Sequence, residues 1–173
     1  DDFADLGGEM FVMDDGWFGT RDDDTQALGD WYPNKKKLPH GVEGIAKKVN
    51  DLGLDFGLWV EPEMVNVNSD LYRAHPNWAM EIPGKPHSEG RNQRILDLCN
   101  PEVVEYMTNQ MKNVFSSGNI SYVKWDMNRN FSDYYSPYLP ADRQQEVGHR
   151  YMMGLYQMLH NIMTAFPHIL FEG

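Results

Sequence analysis

A single cysteine, Cys99, stands among 173 residues. It excludes an intrachain disulfide, permits a reducing compartment, and reads as a small buried hydrophobe following a strand. No apolar run approaches the roughly 18 residues of a membrane-spanning helix, so no membrane partner is expected. No basic run exists and the net charge is −11, which excludes a nucleic-acid groove. The six histidines show no His-Glu-x-x-His spacing, and no glycine-rich phosphate loop follows a strand. Neither a metal nor a cofactor is therefore expected. The opening Asp1-Asp-Phe-Ala-Asp has no methionine and no signal-peptide pattern, so the chain reads as cut from something longer.

What is present is enough apolar material for a core, 41% of residues, in one domain or part of a larger one. Five short apolar runs end in polar or Gly/Pro residues and read as strands: 10–13, 55–60, 94–98, 122–125 and 169–171. Helical patterns lie between them. Asn100-Pro101-Glu102 opens a helix that Gly118 can close, a shorter helix near 42–52 stops at Gly53, and a long one over 143–166 stops before Pro167. In that last helix Met152, Met153, Leu155, Tyr156, Leu159 and Met163 read as core. Alternating strands and helices predict a parallel sheet with right-handed crossovers. The fold expected is α/β: residues 1–173 form an incomplete (β/α)8 barrel, about its first five strands, since a full barrel needs roughly 250 residues. The polar motifs fall at strand carboxyl ends, where barrel active sites form. The connections 20–40 and 64–92 are long loops expected on that face.

The chemistry concentrates in Tyr122-Val-Lys-Trp-Asp-Met-Asn-Arg129. Side chains alternate along a strand, so Lys124 and Asp126 share a face, and a lysine beside a carboxylate keeps it ionised, as suits a nucleophile. On these two residues alone, a surface ion pair is an equally open reading. Asp14 and Asp15 close the first strand, where paired carboxylates can accept from neighbouring sugar hydroxyls, although Asp-Asp-Gly-Trp is also good turn chemistry. Trp59 precedes Glu61-Pro62-Glu63 and can pack on a sugar face or donate through its N–H; the two glutamates share its parity and take supporting roles. Asp97 and Glu172 read as buried acids, and Trp17, Trp31 and Trp78 as candidates to line outer subsites.

Four segments, in order, carry a resemblance: Met13-Asp-Asp-Gly-Trp-Phe-Gly19, Leu58-Trp-Val-Glu-Pro-Glu-Met64, Arg91-Asn-Gln-Arg-Ile-Leu-Asp-Leu98 and Tyr122–Arg129. Together they resemble the α-galactosidases of glycoside hydrolase family 36, which hydrolyse melibiose and raffinose, and the similarity runs from about Gly8 to Gly173. The resemblance implies a retaining enzyme with Asp126 as nucleophile, no cofactor, and an α-galactoside substrate contacted by Asp14, Asp15, Trp59, Arg91 and Lys124. It also implies a homo-oligomer in the intact protein and a cytoplasmic location. The family's acid/base sits on a sixth strand, after a Cys-Ser-Gly-Gly-Gly segment. No residue here matches it, Asp133 and Asp142 included, so these 173 residues alone are expected to be inactive. A raffinose-synthase-type galactosyl transferase and a non-catalytic carbohydrate-binding module are the alternative readings.

Overall fold

The runs at 10–13, 55–60 and 122–125 fold as parallel strands with the expected bounds. The computed structural model describes residues 2–173. A short helix α1 (Asp2–Asp5) precedes β1 (Met10–Met13), α2 (Gly41–Asp51) and β2 (Asp55–Val60). Next come β3 (Met64–Asn66), α3 (Asp70–Ala74), a 3-10 turn at Pro76–Trp78, β4 (Gln93–Ile95) and α4 (Pro101–Phe115). Strand β5 (Tyr122–Trp125), a 3-10 segment (Ala141–Glu146), α5 (Val147–Ala165) and β6 (Leu170–Glu172) complete the order. One sheet has the strand order β1-β2-β5-β6, all neighbours parallel, and β3 and β4 form a separate antiparallel pair.

The third expected strand needs correcting. β2 pairs directly with β5, from Gly57↔Tyr122 to Val60↔Trp125, and so uses the edge that a strand at 94–98 would need. That segment instead places Gln93–Ile95 against Asn66–Met64, built from the connection that leaves β2. The parallel sheet thus holds four strands, and the 64–92 connection carries its own strand and helix.

Local chemistry explains the helices. The Asn100 side chain accepts from Glu102 N at 2.9 Å, a cap worth about 0.5–2 kcal/mol, with Pro101 in the first turn. Gly53 follows α2 at φ +77°, where a side chain would be strained. Gly118 does not take that role after α4. A Cβ there would lie 3.2 Å from Glu43 Cα and 3.3 Å from Ala46 Cβ, so its smallness lets the chain pass close to α2. In α5 the buried stripe is Val147, Tyr151, Met158 and Ile162. Of the side chains expected as core, Met152, Met153, Tyr156 and Met163 are exposed, and Leu155 and Leu159 are half-buried. The helical period was right and its phase was displaced, because methionine and tyrosine occupy both faces.

The central strand β2 is covered on both sides: Phe56, Leu58, Trp59 and Val60 are all buried. Trp17, Phe18 and Trp31 pack about Trp59, with Phe18 near-parallel to it at 6.2 Å. Trp17, Trp31 and Trp78 are core residues and not subsite walls, and Trp78 stacks on His75 at 3.8 Å. Cys99 is buried as expected, its thiol pushed up to about 12 by burial and the neighbouring Asp97. Asp97 is fully buried and accepts from Ser136 Oγ and Cys99 N; Glu172 is exposed at the end of β6, which corrects its reading as a buried acid.

Glu63, just beyond β2, joins three elements. Its Oε1 accepts from Trp125 Nε1 at 3.2 Å and its Oε2 from the Tyr151 hydroxyl at 2.8 Å. Burial pushes its carboxyl above the usual 4.5, against the downward pull of those two bonds. Folding therefore favours protonated Glu63. That contribution is complete below 4.5 and is lost as pH rises through the raised value. Urea titrations should show stability falling with pH above 4.5, less steeply in Glu63→Gln, since Glu61 and Asp97 are raised for the same reason and stay in place. An unchanged slope in that variant would remove Glu63 from the account.

Both outer strands of the parallel sheet carry exposed apolar side chains, Phe11 at 43% and Leu170 at 64%. Unpaired edges with such residues favour association. The 173-residue chain by itself should self-associate or show marginal stability, read by sedimentation and thermal melting. A sharply melting monomer would contradict the open-edge argument.

Candidate active site

Strands β1, β2 and β5 lie side by side and parallel, so their carboxyl ends deliver Asp14–Asp15, Glu61 and Asp126 to one rim. The β2–β5 ladder continues one step further, with Asp126 N donating to Val60 O at 2.8 Å. Asp126 is half-buried. Its Oδ2 accepts from Trp59 Nε1 at 2.9 Å and Asn128 Nδ2 at 2.7 Å, while its Oδ1 accepts from Met127 N at 3.0 Å. Burial alone would raise its pKa, but those three bonds and the charge of Lys124 outweigh it and hold the carboxylate below the usual 3.8. Asp126 is thus kept anionic, as the sequence reading expected, by a different main cause. Lys124 is the last contributor; its ammonium bonds Asp14 Oδ2 at 3.0 Å.

Asp14 and Asp15 are exposed and occupy a genuine turn. Asp15 N donates to Asp14 Oδ1 at 2.8 Å, and Gly16 follows at φ +104°. Asp15 is oriented by Arg21 through a two-pronged ion pair, Nη2–Oδ2 at 2.8 Å and Nε–Oδ1 at 2.9 Å. Arg21 is buried and also donates to Gln26 O and Asn66 Oδ1, so it is a fixed support. The turn and site readings of Asp-Asp-Gly-Trp are both satisfied: Trp17 goes into the core, with its indole N–H on Trp59 O at 3.0 Å, and the two carboxylates stay outside.

The structure brings two hydrogen-bonded groups to one rim, Asp14 with Asp15 and Lys124, and Asp126 with the Trp59 N–H, and the charge of Lys124 acts across the space between them. Trp59 is 2% exposed, so its ring offers no platform to a sugar, and only its N–H takes part. Arg91 is outside both groups. It is exposed, at φ +53°, in a loop tied to the segment after Asp126: Arg129 donates to Ser88 O at 2.8 Å and Gln93 O at 2.5 Å. Glu61 is fully buried, accepting from Asn128 N at 2.5 Å and Gln93 Nε2 at 3.0 Å. Sequence reasoning missed Arg21, Asn128, Gln93 and Arg129. Asn128 had a signal, since it shares the parity of Asp126 two residues on; Arg21 lies in an aperiodic loop and had none. Among the described residues, no group of histidine, cysteine or acids is arranged to hold a metal ion.

The melibiase family model matches residues 1–173. The chain is 56% identical over 170 residues to α-galactosidase AgaA of Geobacillus stearothermophilus, covering 98% of this chain and 23% of that protein. It is 51% identical over 168 residues to α-galactosidase Mel36A of Lactobacillus acidophilus, covering 97% and 23%. A crystal structure of an AgaA variant in complex with raffinose superposes with a TM-score of 0.96 at 55% identity, covering 98% of this chain and 24% of that one. The chain therefore spans about a quarter of the length of these relatives, and matches part of each. Its own four-segment pattern and these matches agree: the chain belongs to the melibiase family.

Proposed function

We propose that this chain is the nucleophile-bearing part of a retaining α-galactosidase acting on terminal α-D-galactosyl residues of melibiose- and raffinose-type galactosides. The observation that carries the reading is the state of Asp126. It is an anionic carboxylate at a strand end, with Oδ2 held by two side-chain donors and Oδ1 by one backbone N–H. In the reaction proposed, a carboxylate oxygen attacks the anomeric carbon as the bond to the aglycone oxygen breaks, and an acid protonates that leaving oxygen. Water then attacks the same carbon, the ester to Asp126 breaks, and the conjugate base takes the water's proton. Asp14 and Asp15, with Lys124 beside them, would accept from and donate to galactose hydroxyls, and Arg91 would close the pocket from its loop.

The partial-barrel reading is part of this proposal. Its support is a strand order that advances in one direction, β1-β2-β5-β6, without the reversal of a doubly wound sheet, and reactive groups at strand carboxyl ends. The acid/base is assigned to none of these residues: Asp133 accepts from Ser88 N, and Asp142 is exposed on the 3-10 segment. Turnover is accordingly proposed for the full-length protein and not for residues 1–173 alone. Cytoplasmic action and a homo-oligomeric state belong to the same reading, supported by the resemblance. No helix among the described residues is long and apolar enough to cross a membrane.

In the full-length protein, Asp126→Gly should lower turnover of an aryl α-galactoside by several orders of magnitude. Azide should enter the vacated space, partly restore turnover and yield the β-galactosyl azide. Substantial activity left in the variant without azide would sink the assignment. Asp15→Asn should weaken galactose binding about tenfold or more by calorimetry, the loss of one charged hydrogen bond worth roughly 1.5–3 kcal/mol. Unchanged affinity in both Asp14→Asn and Asp15→Asn would reduce the pair to a turn.

A further inference from the structure

Asn128 supplies one of the two side-chain donors on Asp126 Oδ2, yet it lies beyond β5, in a segment without regular structure. A donor on such a segment is only as well placed as its backbone. Here the backbone is pinned by a buried acid: Asn128 N donates to Glu61 Oε1 at 2.5 Å. The other oxygen of Glu61 accepts from Gln93 Nε2 at 3.0 Å. Gln93 lies two residues after Arg91, and its own carbonyl accepts from Arg129, the residue after Asn128. Glu61 itself follows directly on β2, buried from Phe56 to Val60, and has no exposed surface. Glu61, alongside the bonds of Arg129 to Ser88 O and Gln93 O, thus holds the segment after the nucleophile against the strand start beside the loop that carries Arg91.

Burial of a carboxyl group without strong partners is costly, so Glu61 needs what it holds. Burial raises its proton affinity and the charge of Asp126 raises it further, while the bonds from Asn128 and Gln93 lower it. Asp126 is thus among the charged groups that Glu61 faces.

We infer that Glu61 is a positioning residue: through Asn128 it sets the orientation of Asp126, and through Gln93 it sets the loop of Arg91. This rests on the reading of Asp126 as nucleophile. Glu61 touches no reacting atom, and its effect passes through its two partners.

The test is a double-variant cycle in the full-length protein, read as kcat and KM on an aryl α-galactoside, with galactose affinity by calorimetry and folding by circular dichroism. Glu61→Gln keeps the side chain's shape and should lower kcat about tenfold to a hundredfold, the range for a misplaced reacting group, and should raise KM and weaken galactose binding by about as much as opening the bridge at Gln93 does. Asn128→Ala should lower kcat by a similar or larger factor. Because the Glu61 effect on kcat travels through Asn128, the double variant should be no slower than Asn128→Ala alone, within about twofold. Effects that multiply would overturn the proposal, as would a Glu61→Gln variant with unchanged kcat. Should Glu61→Gln fail to fold, Gln93→Ala opens the same bridge from its other end. It should raise KM with kcat lowered less; unchanged kinetics there would overturn the bridge. Failure of the nucleophile reading would show separately, as activity retained in Asp126→Gly.

Discussion

The register between β2 and β5 is the constraint on which the site depends. With Trp59 opposite Lys124 and Val60 opposite Trp125, the two strands end level, and whatever follows each of them must meet. Three contacts result: Trp59 N–H on Asp126, Glu61 on Asn128, and Glu63 on Trp125. A slip of one residue would turn every side chain of one strand to the other face and break all three together. Burial on both faces of β2 opposes that slip, because it would carry Phe56 and Leu58 into the space now filled by the Trp59 cluster. Packing of the apolar residues thereby sets the positions of the charged ones.

Buried acids at that strand end are an expense the fold meets with donors. Glu61 and Glu63 each accept two hydrogen bonds, and Asp97 accepts from Ser136, Cys99 and Tyr138. Unpaired, each would cost far more than any single contact in the structure contributes. Paired, they tie secondary elements with directions that apolar packing does not supply. Glu63 joins the ends of β2 and β5 to α5, and Glu61 joins the segment after β5 to the first residue of β4, beside the bonds of Arg129 to Ser88 O and Gln93 O. Burial raises the proton affinity of all three, whereas Asp126, with three donors and partial exposure, goes the other way.

Much of this was legible in the sequence, and the limits have physical causes. Strands 10–13, 55–60 and 122–125 were legible because a short apolar run bounded by turn residues is the pattern of a covered parallel strand. The segment at 94–98 has the same local pattern, and its pairing with 64–66 is a long-range outcome that no local pattern encodes. The phase of α5 was missed because its exposed face is nearly as apolar as its buried one, with Met152, Tyr156 and Met163 facing outward. At the site, Asp126 and Lys124 were legible through strand parity. The donors that govern Asp126 come from β2 and from a loop, and only the fold brings them near. Tryptophan was the least informative residue type: four of the five tryptophans were read as pocket candidates, and all four rings are buried.

Five carboxylates gather at this rim, and their surroundings divide the work among them. Asp14 and Asp15 are exposed and paired with Lys124 and Arg21, so they stay available to a neutral ligand rich in hydroxyl groups. Glu61 and Glu63 are sealed from solvent, and their acceptors are committed to the protein. Asp126 lies between these extremes: enough donors to remain charged, enough exposure to reach a ligand. An acid placed deeper would hold its proton, and one placed further out would lose the Trp59 and Asn128 contacts that orient it. Depth below the rim, set by the strand ends, is therefore what separates the proposed nucleophile from the proposed hydroxyl acceptors and from the buried ties.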